Sequence, residues 1–108
     1  ANDADGNPIS KLGYYTGDDT NDGSKAITTG FQPRFIIIKS SSNEENWFVL
    51  DSLRGLGTGI NDRALYLNTT DAQGNANLVD TSATGFSLRS GGGGINADGY
   101  QYIYYAHA

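Results

Sequence analysis

The residues most able to do chemistry in this chain are carboxylates in glycine-bearing turns. Asp3-Ala4-Asp5-Gly6-Asn7 and Asp18-Asp19-Thr20-Asn21-Asp22-Gly23 put side-chain oxygens at alternate positions, an arrangement that can wrap a calcium ion. Neither run has a glutamate at its twelfth position, and the same residues close Asx turns without any ion. No cofactor or metal ligand set is therefore expected, with calcium in one of these loops as the alternative. His107 is the only histidine, cysteine is absent, and the serines cluster in loops with no base near them in sequence. An activated nucleophile needs such a base within hydrogen-bond reach. A glycosidase needs two carboxylates facing each other across a groove. Asp51, at the end of an apolar strand, is the best single acid, but Asp51-Ser52-Leu53-Arg54-Gly55 reads more simply as Asp51 bonding turn amides or pairing with Arg54. The expected role is non-enzymatic.

What remains is a set suited to binding sugars: seven tyrosines, one tryptophan and many Asn, Asp and Gly residues. β-strands and turns favour the same residues, so composition alone does not decide. Loops carry function on a rigid scaffold, and the glycine-rich loops are Gly17 to Gly23, Arg54 to Arg63 and Ser90 to Gly99. In them Asp18, Asp19, Asp22, Asn96 and Asp98 could exchange hydrogen bonds with hydroxyls. Arg63 and Arg89 could bridge two oxygens or attract an acidic sugar, with Tyr14, Tyr15 or Tyr66 offering a ring for stacking. Ser90 to Gly94, SGGGG, lacks the Lys-Ser/Thr ending of a phosphate loop. A net charge of -5 with scattered basic residues argues against nucleic acid and anionic membrane surfaces. Phe35 to Ile38, the longest apolar run, is far too short to span a bilayer, so no membrane insertion is expected.

The elements that must hold these loops are short strands. The pattern predicts strands at Lys11 to Thr16, Lys25 to Thr29, Arg34 to Ser40, Trp47 to Asp51, Ala64 to Asn68, Leu78 to Thr81, Gly85 to Ser90 and Tyr100 to Ala106. Helical periodicity is nowhere sustained. The expected fold is all-β, a small antiparallel β-sandwich of about six to eight short strands with no long helix, occupying residues 11–108 behind a connector or arm at 1–10. A short echo joins Thr28-Thr29-Gly30-Phe31 to Ala83-Thr84-Gly85-Phe86, too small for a repeat and placed either by chance or at equivalent corners of two sheets.

Three strands do not alternate between apolar and polar as half-buried strands should. In RFIIIK, Phe35 and Ile37 point one way and Ile36 and Ile38 the other. Trp47 and Val49 oppose Phe48 and Leu50, and Tyr100, Tyr102 and Tyr104 oppose Ile103 and Tyr105. One face enters the core, and a chain this small rarely leaves the second uncovered. Phe35, Ile36, Ile37, Ile38, Trp47, Tyr102 and Tyr104 are accordingly read as core or interface, with Asp51 and Arg54 as structural. Because Ile36, Ile38 and the tyrosines of the last strand look too many for one core, self-association is expected. A long loop over residues 52–63 is the other cover.

The succession YYTG, TTGFQPRFIIIK, NWFVLDSLRG, LYLNTT, ATGFSL and INADGYQYIYYAHA resembles an uncharacterised domain that recurs in tail-fibre and other tail-associated proteins of bacteriophages. The resemblance runs from Lys11 to Ala108. Its best-defined pieces are Gly30-Phe31-Gln32-Pro33, the Trp47 to Gly55 run and the strand from Gly85 to Leu88. A weaker similarity of pattern and spacing is to H-type lectins, small antiparallel sandwiches that assemble as trimers and bind sugars. The resemblances imply a trimeric virion module, located in a phage tail or surface appendage and contacting other virion proteins. Such a module would either bind bacterial surface polysaccharide or serve purely as a collar, capsid decoration or fibre spacer.

Overall fold

The computed structural model describes residues 2–20, 23–42, 47–52, 56, 62–66, 74–76, 78–89 and 95–108. It is all-β, with nine strands in two antiparallel sheets and no α-helix among the described residues. The strands are β1 (Ser10–Thr16), β2 (Ala26–Thr28), β3 (Phe35–Ser40), β4 (Phe48–Asp51), β5 (Asp62–Tyr66), β6 (Gly74–Ala76), β7 (Val79–Ser82), β8 (Gly85–Leu88) and β9 (Gln101–His107). Six form one sheet in the order β1-β9-β3-β4-β5-β6, and three form the other in the order β2-β8-β7. The additional strand over the sequence reading is β6, which begins in the Asp71-Ala72-Gln73-Gly74-Asn75 stretch, whose residue types are those of a turn. It pairs with β5 through Arg63 and Asn75.

The core lies between the sheets. Ile36 and Ile38 from β3, Phe48 and Leu50 from β4, and Tyr102, Tyr104 and Ala106 from β9 supply one side. Val79, Phe86 and Leu88 supply the other, and Phe31, Leu56, Leu78 and Ile95 close the ends. Tyr104 meets Phe86 edge-on at 5.4 Å between ring centroids, so an aromatic contact of the favoured geometry ties the sheets together. Tyr15 stacks on Tyr102 at 5.2 Å. Ile36, Ile38 and Tyr102 are wholly buried and Tyr104 is 5% exposed. Of the side chains expected to exceed one core, Ile36, Ile38, Tyr102 and Tyr104 fit into it together, while Tyr100 and Tyr105 stay outside it.

A local feature explains how the Tyr104 ring fits. At Gly13 an added Cβ would stand 2.5 Å from the Tyr104 hydroxyl oxygen, so the missing side chain makes room for the ring on the neighbouring strand. The Thr-Gly-Phe echo has a structural counterpart, since its two copies touch. Thr28 pairs with Gly85 across β2 and β8, and the Thr84 carbonyl accepts from both the Thr29 and the Gly30 amides.

The residues before β1 fold into a turn. Asp3 Oδ1 accepts the amides of Asp5 and Asn7, Asn2 bridges Pro8, and the Ile9 carbonyl accepts from the Ala108 amide.

Candidate functional site

Two surfaces are built by this fold, one apolar and one polar. The apolar surface is the outer face of the six-stranded sheet. Cross-strand register aligns Leu12 of β1, Tyr105 of β9, Ile37 of β3 and Val49 of β4 in one row, with Tyr14 beside Ile103 in the next. Phe35 meets Tyr105 edge-on at 6.4 Å, and the Tyr105 hydroxyl lies 3.1 Å from His107 Nδ1. Leu12 and Tyr14 are 76% and 81% exposed, and Trp47 and Ile103 are also open to solvent. Between them runs a groove of about 330 Å³ lined by Leu12, Ile37, Trp47, Ile103 and Tyr105. Of the residues read as core or interface, Phe35, Ile37 and Trp47 belong here, while Ile36, Ile38, Tyr102 and Tyr104 belong to the core.

The polar surface gathers two of the three candidate loops at one end of the sheet. Tyr15 donates its hydroxyl to the Ile95 carbonyl at 2.6 Å, and the Tyr102 hydroxyl accepts the Ala97 amide at 2.9 Å. These tyrosines carry their apolar bodies in the core and use their polar tips to hold the backbone of the 95–97 segment. Burial pushes the Tyr15 phenol well above its ordinary range, with the neighbouring Tyr102 adding to the effect. The 17–20 loop is clipped to the same segment: the Gly17 amide donates to Tyr100, the Asp19 amide to Asn96 and the Gly99 amide to Gly17.

Asn96 is the centre of this clip. Its Nδ2 donates to Asp18 Oδ1 at 3.0 Å and to the Thr20 carbonyl at 2.9 Å, while its Oδ1 accepts the Asp18 amide. The residue is wholly buried. As a surface ligand contact it is therefore corrected: the amide is consumed in joining two loops 78 residues apart in sequence. Asp18 also accepts from the Thr20 hydroxyl and amide. The hydroxyl bond foremost, then the amide, Asn96 and the charge of Lys25, hold its carboxyl below the usual carboxylate range. Asp19 adopts φ 61°, a left-handed conformation that aspartate tolerates.

The remaining candidates scatter. Asp19 and Asp98 are exposed at the loop end, near the half-open Tyr100. Arg89 stands on the other sheet, with Nε 3.6 Å from Asp80. Tyr14 is free to stack, whereas Tyr15 is buried and is corrected as a stacking candidate. Asp51 ends β4 opposite Phe35, and its carbonyl accepts from the Leu56 amide. Arg63 and Tyr66 fall in β5, of which the backbone pairing is described. Asp22, Arg54 and most of the 54–63 loop lie outside the described residues. Among the described residues no three His, Asp or Glu side chains converge as a metal site requires.

Leu12 is the surface residue that sequence reasoning missed. Its signal was present in Lys11-Leu12-Gly13-Tyr14, where period two puts Leu12 and Tyr14 on one face.

No curated protein and no solved structure matches the chain. Residues 4–108, nearly its whole length and both surfaces with it, match a single family signature, and the chain belongs to that family, the Domain of unknown function DUF7483.

Proposed function

We propose that this chain is a non-enzymatic module of a bacteriophage tail fibre or related virion appendage, working as a homotrimer that contacts bacterial surface polysaccharide. The observation that carries the reading is the outer face of the six-stranded sheet. Leu12, Tyr14, Trp47 and Ile103 stand exposed there around an apolar groove. An apolar surface of this kind is what subunits bury on assembly. The resemblance of the motif order to tail-associated domains supports the virion setting, and the similarity to H-type lectins supports a trimer and sugar contact. The test joins sedimentation to adsorption. The chain should sediment at three times its monomer mass at micromolar concentration, and Ile37→Asp should dissociate it, since a buried unpaired charge is costly. The wild-type trimer should also adsorb to host cells and be competed by their extracted polysaccharide.

The purely structural reading, a collar, capsid decoration or spacer, has one observation in its favour. Asn96 and Asp18, the most elaborate polar arrangement among the described residues, are spent on each other and on Thr20. A trimer that adsorbs to no host surface would decide for this reading.

A further inference from the structure

Among the described residues the two sheets leave one side of the sandwich open, because β1 is the edge of the six-stranded sheet and β2 is an edge of the three-stranded one. Between these edges lies a cleft of about 470 Å³, lined among others by Lys11, Gly13, Tyr15, Lys25, Thr28 and Tyr104. That volume is in the range of small-ligand sites. Lys11 alternates with Gly13 and Tyr15 and so turns inward, but at an edge strand this directs its side chain into the cleft rather than the core. Lys25 approaches from the other wall, immediately before β2. Among the described residues neither ammonium group has a hydrogen bond or an ion pair. Asp18 lies close enough to feel the charge of Lys25, while its oxygens accept hydrogen bonds from Thr20 and Asn96.

Tyr104 adds a third group. Its ring is held across Gly13, and its hydroxyl has no hydrogen-bond partner among the described residues. Burial raises its phenol pKa, which keeps it a neutral donor. In a chain of net charge -5, two cations facing one cleft concentrate positive charge locally, with Lys25 also in the field of Asp18 and Lys11 at the open edge. An anionic polymer repelled elsewhere is steered to it. We propose that this cleft binds a carboxylate-bearing saccharide, with Lys11 and Lys25 on the carboxylate and the Tyr104 and Thr28 hydroxyls on the ring oxygens. The proposal rests on the polysaccharide-contact reading above and names the sugar class and the residues for it. It leaves the outer sheet face to the subunits.

The test uses the full chain and two probes, a trimer of galacturonic acid and the matching neutral galactose trimer, followed by calorimetry and amide chemical shifts. The acidic probe should bind at least tenfold more tightly than the neutral one and weaken as salt rises. Lys11→Gln and Lys25→Gln should each weaken it about five- to tenfold without moving the melting temperature, and Tyr104→Phe should weaken it while keeping the ring over Gly13. Lysine also guards strand edges against pairing with other chains. Variants that aggregate but bind galacturonate like the parent would assign Lys11 that guarding role and overturn the site. Equal binding of both probes, unaffected by the lysine changes, would overturn the cleft while sparing the polysaccharide reading. Failure of both probes together with failure of host polysaccharide would overturn both. A short acidic peptide that binds instead and shifts the β1 amides would replace the saccharide with an added strand.

Discussion

The inner and outer faces of the six-stranded sheet are made by the same strands and nearly the same residue types, yet among the described residues only one is covered. Ile36, Ile38, Leu50, Tyr102 and Ala106 face inward and are fully buried. One residue along in each strand, Ile37, Ile103 and Tyr105 face outward and keep contact with solvent. Hydrophobicity thus says that a face needs cover, and the fold decides which face receives it within the chain. The three-stranded sheet is the deciding partner, because Phe86, Leu88 and Val79 can cover a single face.

The largest effect should come from deleting inner-face volume. Leu50→Ala should cost about 2–5 kcal/mol, as a transfer loss plus a cavity, read as a drop in the urea midpoint. Under dissociating conditions Ile37→Ala should cost less than half as much, and equal losses would mean that the outer face is covered within one chain. The buried clip comes next: Asn96→Ala strands the Asp18 amide and the Thr20 carbonyl, at a cost of about 1–3 kcal/mol. Hydrogen exchange should quicken at Asp18 and Asp19 while the β3 and β4 amides stay protected.

Tyr15→Phe should be milder, about 1 kcal/mol for the lost bond to Ile95. It also carries a pH signature. The folded chain holds the Tyr15 phenol above its ordinary value of 10.0, so the neutral form is the one folding favours. Its contribution is complete below pH 10 and falls as pH rises further, because the unfolded chain ionises first. Replacing Tyr15 with phenylalanine should therefore flatten part of the alkaline loss, and an unchanged alkaline limb would contradict the burial argument. The smallest effect on stability belongs to the outer face. Leu12→Ser with Tyr14→Ser should stay within about 0.5 kcal/mol each for the isolated chain, while lowering the mass seen in sedimentation.

Much of this architecture was legible. Turn chemistry at Asp, Asn and Gly marked eight of the nine strands to within a few residues, and period two divided the large apolar residues of β3, β4 and β9 into the correct two sets. Alternation is symmetric, however, so it could separate the two sets without saying which was inside. β6 was hidden because Gly74-Asn75-Ala76 contains no β-branched or aromatic residue, and only its pairing with β5 makes it a strand. Asn96 was misread for a related reason. A polar residue in a glycine-rich loop signals exposure, whereas its partners arrive from the far end of the sequence. The Lys11 and Lys25 cleft was not legible at all, since the two lysines share neither strand nor sheet.

One consequence of the strand order concerns synthesis. β9 lies between β1 and β3 and bonds to both along nearly its whole length. A nascent chain that has not yet released residues 101–107 holds its two longest other strands without their shared neighbour. Contacts so distant in sequence close slowly, and unpaired edges invite association between chains in the meantime. For this domain the interval before the last strand arrives is the time of greatest risk from neighbouring copies on the same message.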